Sequence, residues 1–230
     1  MTAESGTRAR WLRGVDSDLV VAVCVARTGR SQFHVGLYHR DHDDASVLHF
    51  AWDRQLRSDA PRDSFGAHDY GLVALSLDED DAQTLCALCR RVARRHPATF
   101  RYRFVDWRPR FDLTTAEVVP PPTDQHDGFT CATFVLAMLR SALLEELLAL
   151  DQWPAPTQDD ADDRWQRRIA ELLCSKEAST EDREMVLMGI GMRRILPTDV
   201  AGGAMYSREH WPVGFVDSRR EGDQISARLR

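Results

Sequence analysis

No stretch of this sequence stays apolar for the about 18 residues that a membrane-spanning helix needs. It has no surplus of positive charge either: 30 Lys and Arg against 36 Asp and Glu give a formal net charge of -6. A general nucleic-acid footprint is therefore not expected. A disulfide framework is missing, because the five cysteines (Cys24, Cys86, Cys89, Cys131, Cys174) are scattered and odd in number. No internal repeat is present, and no secretory leader is expected. Residues 1–14 are polar, with Arg8, Arg10 and Arg13, and the first apolar run, residues 19–26, has strand length. It is followed by Arg27-Thr28-Gly29-Arg30 rather than a small-residue cleavage site. The expected compartment is the cytoplasm.

What is there is an ordinary globular composition, 230 residues with 43% hydrophobic and 29% charged. That length suits one large domain or one domain with an appended subdomain. Cys86 and Cys89 form a C-x-x-C inside a helical stretch, with no second Cys/His pair at zinc-finger spacing. They read as core-facing residues, with metal binding or redox chemistry as the weaker reading. No cofactor and no metal are expected.

Three strands are predicted near the start. Residues 18–26 are apolar and β-branched, residues 32–39 follow a glycine-containing turn, and residues 46–52 follow the polar turn Asp41-His42-Asp43-Asp44. Short strands joined by tight turns make an antiparallel meander. Counting outward from the second turn brings His34 beside His49 on adjacent strands, where imidazoles on one face can touch. Half-buried, satisfied core histidines are the bland alternative. His39 and His42 flank the turn and are expected in solvent.

Residues 53–69 read as a loop, an active-site wall or lid. A strand is expected at 70–75 and a helix from Asp78-Glu79-Asp80-Asp81 to about Arg95, stopped by Pro97. Residues 100–105 alternate and read as a strand. Residues 109–127 read as loop, with Pro120-Pro121-Pro122 stiff and extended. Then Asp127-Gly128-Phe129-Thr130 runs into Cys131, which opens an apolar run that should be a central buried helix. A thiol at that junction faces unpaired N–H groups and the positive end of the helix dipole, which favour a thiolate. Beyond a Pro- and Asp-containing linker at 151–163, helices are expected at 165–174 and from the Ser179-Thr180-Glu181-Asp182 cap to about Met188. A C-terminal segment opens at 193–199, and residues 221–230 are expected to fray.

Three motifs in order, His34-Val35-Gly36-Leu37-Tyr38, Val47-Leu48-His49 and Cys131-Ala132-Thr133-Phe134-Val135, resemble the circularly permuted, papain-like NlpC superfamily. The local likeness is to its lecithin:retinol acyltransferase-like branch and covers roughly residues 18–145. That branch usually has Asn-Cys-Glu-His-Phe where this chain has Thr130-Cys131-Ala132-Thr133-Phe134, so the likeness does not carry a lipid substrate with it.

The resemblance implies an α+β fold, an antiparallel sheet packed against a central helix that carries the nucleophile. Residues 1–150 would form the permuted papain-like domain and residues 151–230 a helical extension packed on it. It implies Cys131 as nucleophile, His34 as base and His49 as the residue orienting that base. His49 as base with His34 peripheral is the alternative. The expected reaction is hydrolysis or acyl transfer at an amide, ester or thioester through an acyl-enzyme, on a peptide or acyl conjugate. The competing expectation is a catalytically silent binding protein on the same scaffold, with Trp107, Trp153 and Trp165 as anchors for a protein partner.

Overall fold

The computed structural model describes residues 10–12, 18–29, 32–42, 44–65, 68–104, 108–121, 128–154, 161–174 and 180–229. In chain order the strands are β1 (Trp11–Leu12), β2 (Val21–Arg27), β3 (Phe33–Asp41), β4 (Asp44–Trp52), β5 (Gln55–Asp59), β6 (Tyr70–Ala74), β7 (Arg110–Phe111) and β8 (Val118–Val119). The helices are α1 (Pro61–Phe65), α2 (Glu79–Arg95), α3 (Cys131–Leu143), α4 (Ala161–Cys174), α5 (Thr180–Met188), α6 (Pro197–Ala204) and α7 (Phe215–Arg228). The fold is α+β. Six strands form one antiparallel sheet in the order β1-β6-β2-β3-β4-β5, and β7 and β8 form a small separate hairpin.

The meander predicted for β2, β3 and β4 is borne out. β2 is apolar at nearly every position because the sheet is covered on both faces. One face carries Val23, Val25, Val35, Leu37, Leu48 and Phe50 and packs against α2, α3 and α6. The other carries Ala22, Cys24, Tyr38 and Val47 under a smaller lid that includes Phe65 of α1. Strand alternation assigns every residue of β3 and β4 to one face or the other.

α3 is the central helix that its apolar run predicts. Every residue but Thr133 is buried. Phe134 sits at its centre, 5.7–6.3 Å from the rings of Phe50, Phe100, Phe111 and Phe129. A buried phenyl contributes about 1.5–3 kcal/mol by transfer alone, so this cluster is a main tie between helix and sheet. The helix ends after Leu143, where Leu144 takes a left-handed conformation and its N–H caps Arg140 O.

Six expectations about the fold need correction. Residues 109–127 are not all loop, since β7 and β8 pair there as a short hairpin. Residues 53–69 are not a plain loop; they hold β5 and α1. β5 is an edge strand with one buried side chain, Leu56, so its hydropathy does not show. Residues 100–104 form no strand; the chain there makes only an isolated bridge, Tyr102 with Phe129, and Val105 lies outside the described residues. His39 is not in solvent but 4% exposed beneath α2, because its position in β3 turns it to the helix-covered face; His42 is exposed as expected. Trp153 is 3% exposed and is a core residue rather than a surface anchor, while Trp107 lies outside the described residues.

The last correction concerns residues 221–230. They are not frayed: α7 runs through Arg228, with Ser218, Glu221, Gly222 and Ile225 buried, and only Arg230 lies outside the described residues. Its contact with α6 is made by small residues. A Cβ at Gly222 would stand 2.6 Å from Thr198 O, and one at Gly202 would collide with Ser218 O. Asp199, wholly buried on α6, then takes a forked pair of hydrogen bonds from Arg219 at 2.6 and 2.9 Å. Val200, Ala201, Ala204 and Ile225 belong to the same contiguous core as the sheet and α3.

Candidate active site

Cys131 is the first residue of α3. Thr130 caps the helix: its hydroxyl accepts from the Thr133 N–H at 3.2 Å, and Thr133 Oγ1 accepts from the Thr130 N–H at 2.8 Å. The cap occupies the third N–H of the helix and leaves those of Cys131 and Ala132 open. Both point at the Cys131 sulfur, as does the backbone N–H of Val35 on β3. Val35 is able to do this because β3 and β4 part company. Their pairing runs from Asp41↔Asp44 only as far as Leu37↔Leu48, although β3 extends back to Phe33 and β4 on to Trp52. The start of α3 is seated against this open fork.

The two histidines meet as predicted. His34 Nε2 and His49 Nδ1 are 2.9 Å apart, with the ring planes at 83°. They are diagonal rather than direct neighbours, since continuing the β3–β4 register sets His49 opposite Gly36. Both rings pack on Phe65, at 5.9 and 5.3 Å between centroids. Alternation places them on the Phe65 face of the sheet, whereas α3 covers the other face. The thiol and the imidazoles therefore approach the fork from opposite sides. All three line one cavity of about 420 Å³. Among the described residues, no hydrogen bond joins Cys131 Sγ to either imidazole.

Burial dominates the electrostatics. It raises the Cys131 thiol to about 11, against the pull of the three N–H groups and of Arg194. It lowers His34 to about 3, with His49 adding to the shift, and lowers His49 to about 4, against the opposing charge of Asp59. At neutral pH the resting site holds a neutral thiol and two neutral imidazoles. A preformed thiolate–imidazolium pair is not its ground state, so the predicted thiolate at the helix start is outweighed by desolvation. His49 Nε2 is buried without a partner among the described residues.

Residues 53–69 supply part of the cavity wall, as expected, through Arg57, Ser64, Phe65 and His68, and the rest comes from elements that the sequence did not link to Cys131. Trp52, Tyr102 and Phe104 form an aromatic side, Trp165 and Ile169 of α4 another, and Arg193, Arg194 and Ile195 close it just before α6. The Arg194 guanidinium lies 3.8 Å above the Trp165 ring. Cys86 and Cys89 are core-facing as expected, 3% and 0% exposed, and all five cysteines are free thiols. Among the described residues no three His, Cys, Asp or Glu side chains group as metal ligands, and no helix is long and apolar enough to cross a membrane.

The fold and cavity define the class only as an α+β protein with a cysteine–histidine–histidine pocket. No protein family, curated protein or solved structure matches the chain.

Proposed function

We propose that the chain is a cysteine-nucleophile hydrolase or acyltransferase that forms an acyl-enzyme on Cys131 from an amide, ester or thioester. The observation that carries this is the shared cavity: the helix-start thiol and the bonded His34–His49 pair line one pocket beside open backbone donors. The resemblance to the permuted papain-like superfamily supports the same roles. His34 is the base and His49 fixes it. With His34 Nε2–H donating to His49 Nδ1, the His34 Nδ1 lone pair is left to take a proton.

Because both partners rest neutral, the proton moves as attack occurs. The carbonyl enters beside Cys131, Sγ bonds to its carbon, and His34 takes the thiol proton. The oxyanion forms against the N–H groups of Cys131 and Ala132, with Val35 as a third donor. His34 then protonates the leaving group. Water or an amine, deprotonated by His34, attacks the thioester and frees Cys131. Five free thiols suit a reducing compartment, and we place the reaction in the cytoplasm.

The missing thiol–imidazole hydrogen bond and the suppressed ionisation favour a second reading, a binding protein that uses the pocket without chemistry. Turnover of small activated esters and thioesters separates the two. The enzyme reading expects Cys131→Ala to abolish turnover and His34→Ala to lower it by about 10²–10⁴. Background hydrolysis that is equal in wild type and both variants assigns the pocket to binding.

A further inference from the structure

Aromatic side chains gather around the Cys131 cavity. Among the described residues, Phe33, Trp52, Phe65, Tyr102, Phe104 and Trp165 line it, and no Asp or Glu does. Three rings are stacked in series beside it. Phe50 lies on Tyr102, with centroids 5.9 Å apart and planes at 15°, and Tyr102 lies on Trp52 at 5.1 Å and 30°. The series runs outward: Phe50 is wholly buried, Tyr102 is 6% exposed and Trp52 is half-buried. Trp52 is its end, since among the described residues no second ring packs on it.

Backbone contacts hold this series beside the thiol. The Tyr102 N–H donates to Asp53 Oδ1 at 2.8 Å, next to Trp52, and the Arg54 N–H donates to Phe100 O at 2.8 Å. The same segment bridges to Phe129, two residues before Cys131. There the Phe129 N–H donates to Arg101 O at 3.0 Å and the Arg103 N–H to Phe129 O at 3.2 Å. The thiol is felt at Tyr102: burial raises the Tyr102 hydroxyl, and the Cys131 charge adds to the shift.

Resting on the acyl-enzyme reading, we propose that the substrate carries an aromatic ring a few bonds from its scissile carbonyl, and that this ring extends the stack at Trp52, the specificity-determining residue of the site. Aromatic pairs favour offset-stacked or edge-on packing and gain from it beyond the area that they bury. A ring already held by Tyr102 offers that packing with little further loss of side-chain freedom on binding. Phe104 and Trp165, edge to face at 5.6 Å, extend the aromatic wall. The volume of about 420 Å³ lies towards the small end for a ligand pocket and suits a single ring with its acyl linker.

Four thioesters test this, in two pairs that differ only in whether the ring is aromatic. The N-acetylcysteamine thioesters of phenylpropanoate and cyclohexylpropanoate carry the ring on the acyl side. The phenylethyl and cyclohexylethyl thioesters of acetate carry it on the leaving side. In each, the Cys131 C–S bond forms, the substrate's own C–S bond breaks and its thiol leaves with the proton from His34. Water then splits the acyl-enzyme to the free acid and restores the Cys131 thiol. The cyclohexyl ring is the more apolar, so burial alone favours it, whereas stacking favours phenyl. Wild-type protein is expected to turn over the phenyl member of at least one pair about two- to tenfold faster at low concentration, and the pair that responds tells which side of the carbonyl bears the ring. Trp52→Leu is expected to remove that preference, and Trp52→Phe, which keeps a ring, to retain part of it. A wild-type ratio of one or less in both pairs overturns the assignment without any variant. A preference that survives undiminished in Trp52→Leu overturns it too. If turnover needs Cys131 and His34 but shows no preference for phenyl, only the aromatic specificity falls. If none of the four is turned over, the acyl-enzyme reading falls with it.

Discussion

Replacing Gly36 by alanine strikes the point where the histidine pair is built. The added Cβ would stand 2.7 Å from His49 Cβ, 2.9 Å from Leu48 O and 2.9 Å from Val47 Cγ1. None of the three is the free end of a flexible chain. One is backbone, one is the root of a buried side chain, and one belongs to a β-branched residue with a stiff rotamer. β4 must therefore move away from β3 next to the last paired residues, Leu37 and Leu48. Overpacking of a core costs about 1–3 kcal/mol, and three simultaneous clashes with no soft neighbour put this change at the upper end. At about 2–4 °C per kcal/mol for a chain of this size, the melting temperature should fall by about 6–12 °C. Circular dichroism melts of the purified variant measure it, and ester turnover at a temperature where the variant remains folded reports the His34–His49 spacing. A melting temperature within about 2 °C of wild type would refute the close packing of the two strands at this position.

Stability should also depend on pH through buried histidines. Burial holds His39 and His49 near 4 when folded, against a usual 6.5. The unfolded chain then binds more protons below 6.5, so stability is held above that pH and lost as pH falls toward 4. By about pH 5 each ring should have cost roughly 2 kcal/mol, and urea melts of His39→Leu, which lacks one ring, should show a shallower loss than wild type over that range; identical slopes would contradict it. Asp199→Ala should destabilise by about 1–3 kcal/mol, because it removes the buried carboxylate that accepts the Arg219 fork and the Leu196 N–H. A loss under about 1 kcal/mol in chemical denaturation would show that α7 is not tied to α6 through this pair.

Much of the sheet and the helix that Cys131 opens was legible because their burial is simple. β2 reads as a strand from its unbroken β-branched run, and α3 reads as a core helix from apolar residues on all sides. The His34–His49 contact followed from the length of the turn at 41–44, since register follows from a hairpin. What stayed hidden has specific causes. β5 and α1 expose most of their polar side chains, yet α1 supplies Phe65, on which both imidazoles rest. The buried face of α7 is made of Ser218, Glu221 and Gly222 as well as Ile225, which no hydropathy pattern marks. His39 was misplaced because strand alternation, and not distance from the turn, decides its face. The thiol illustrates a limit of local reasoning. Its helix-start position favours ionisation, but the depth of the cavity, a property of the whole fold, raises it instead. Trp165 and Arg194 are distant in sequence from Cys131, and nothing local announces that they share its wall.

The central claim is that Cys131 attacks a carbonyl with His34 as its base. Its most direct measurement is mass spectrometry of the protein quenched during reaction with an activated acyl ester, with the adduct mapped to a residue. The account predicts an acyl group on Cys131 of the wild type, formed at least about 10²-fold more slowly in His34→Ala. An adduct spread over other residues, the half-buried Cys174 among them, or one on Cys131 that forms equally fast without His34, would contradict it.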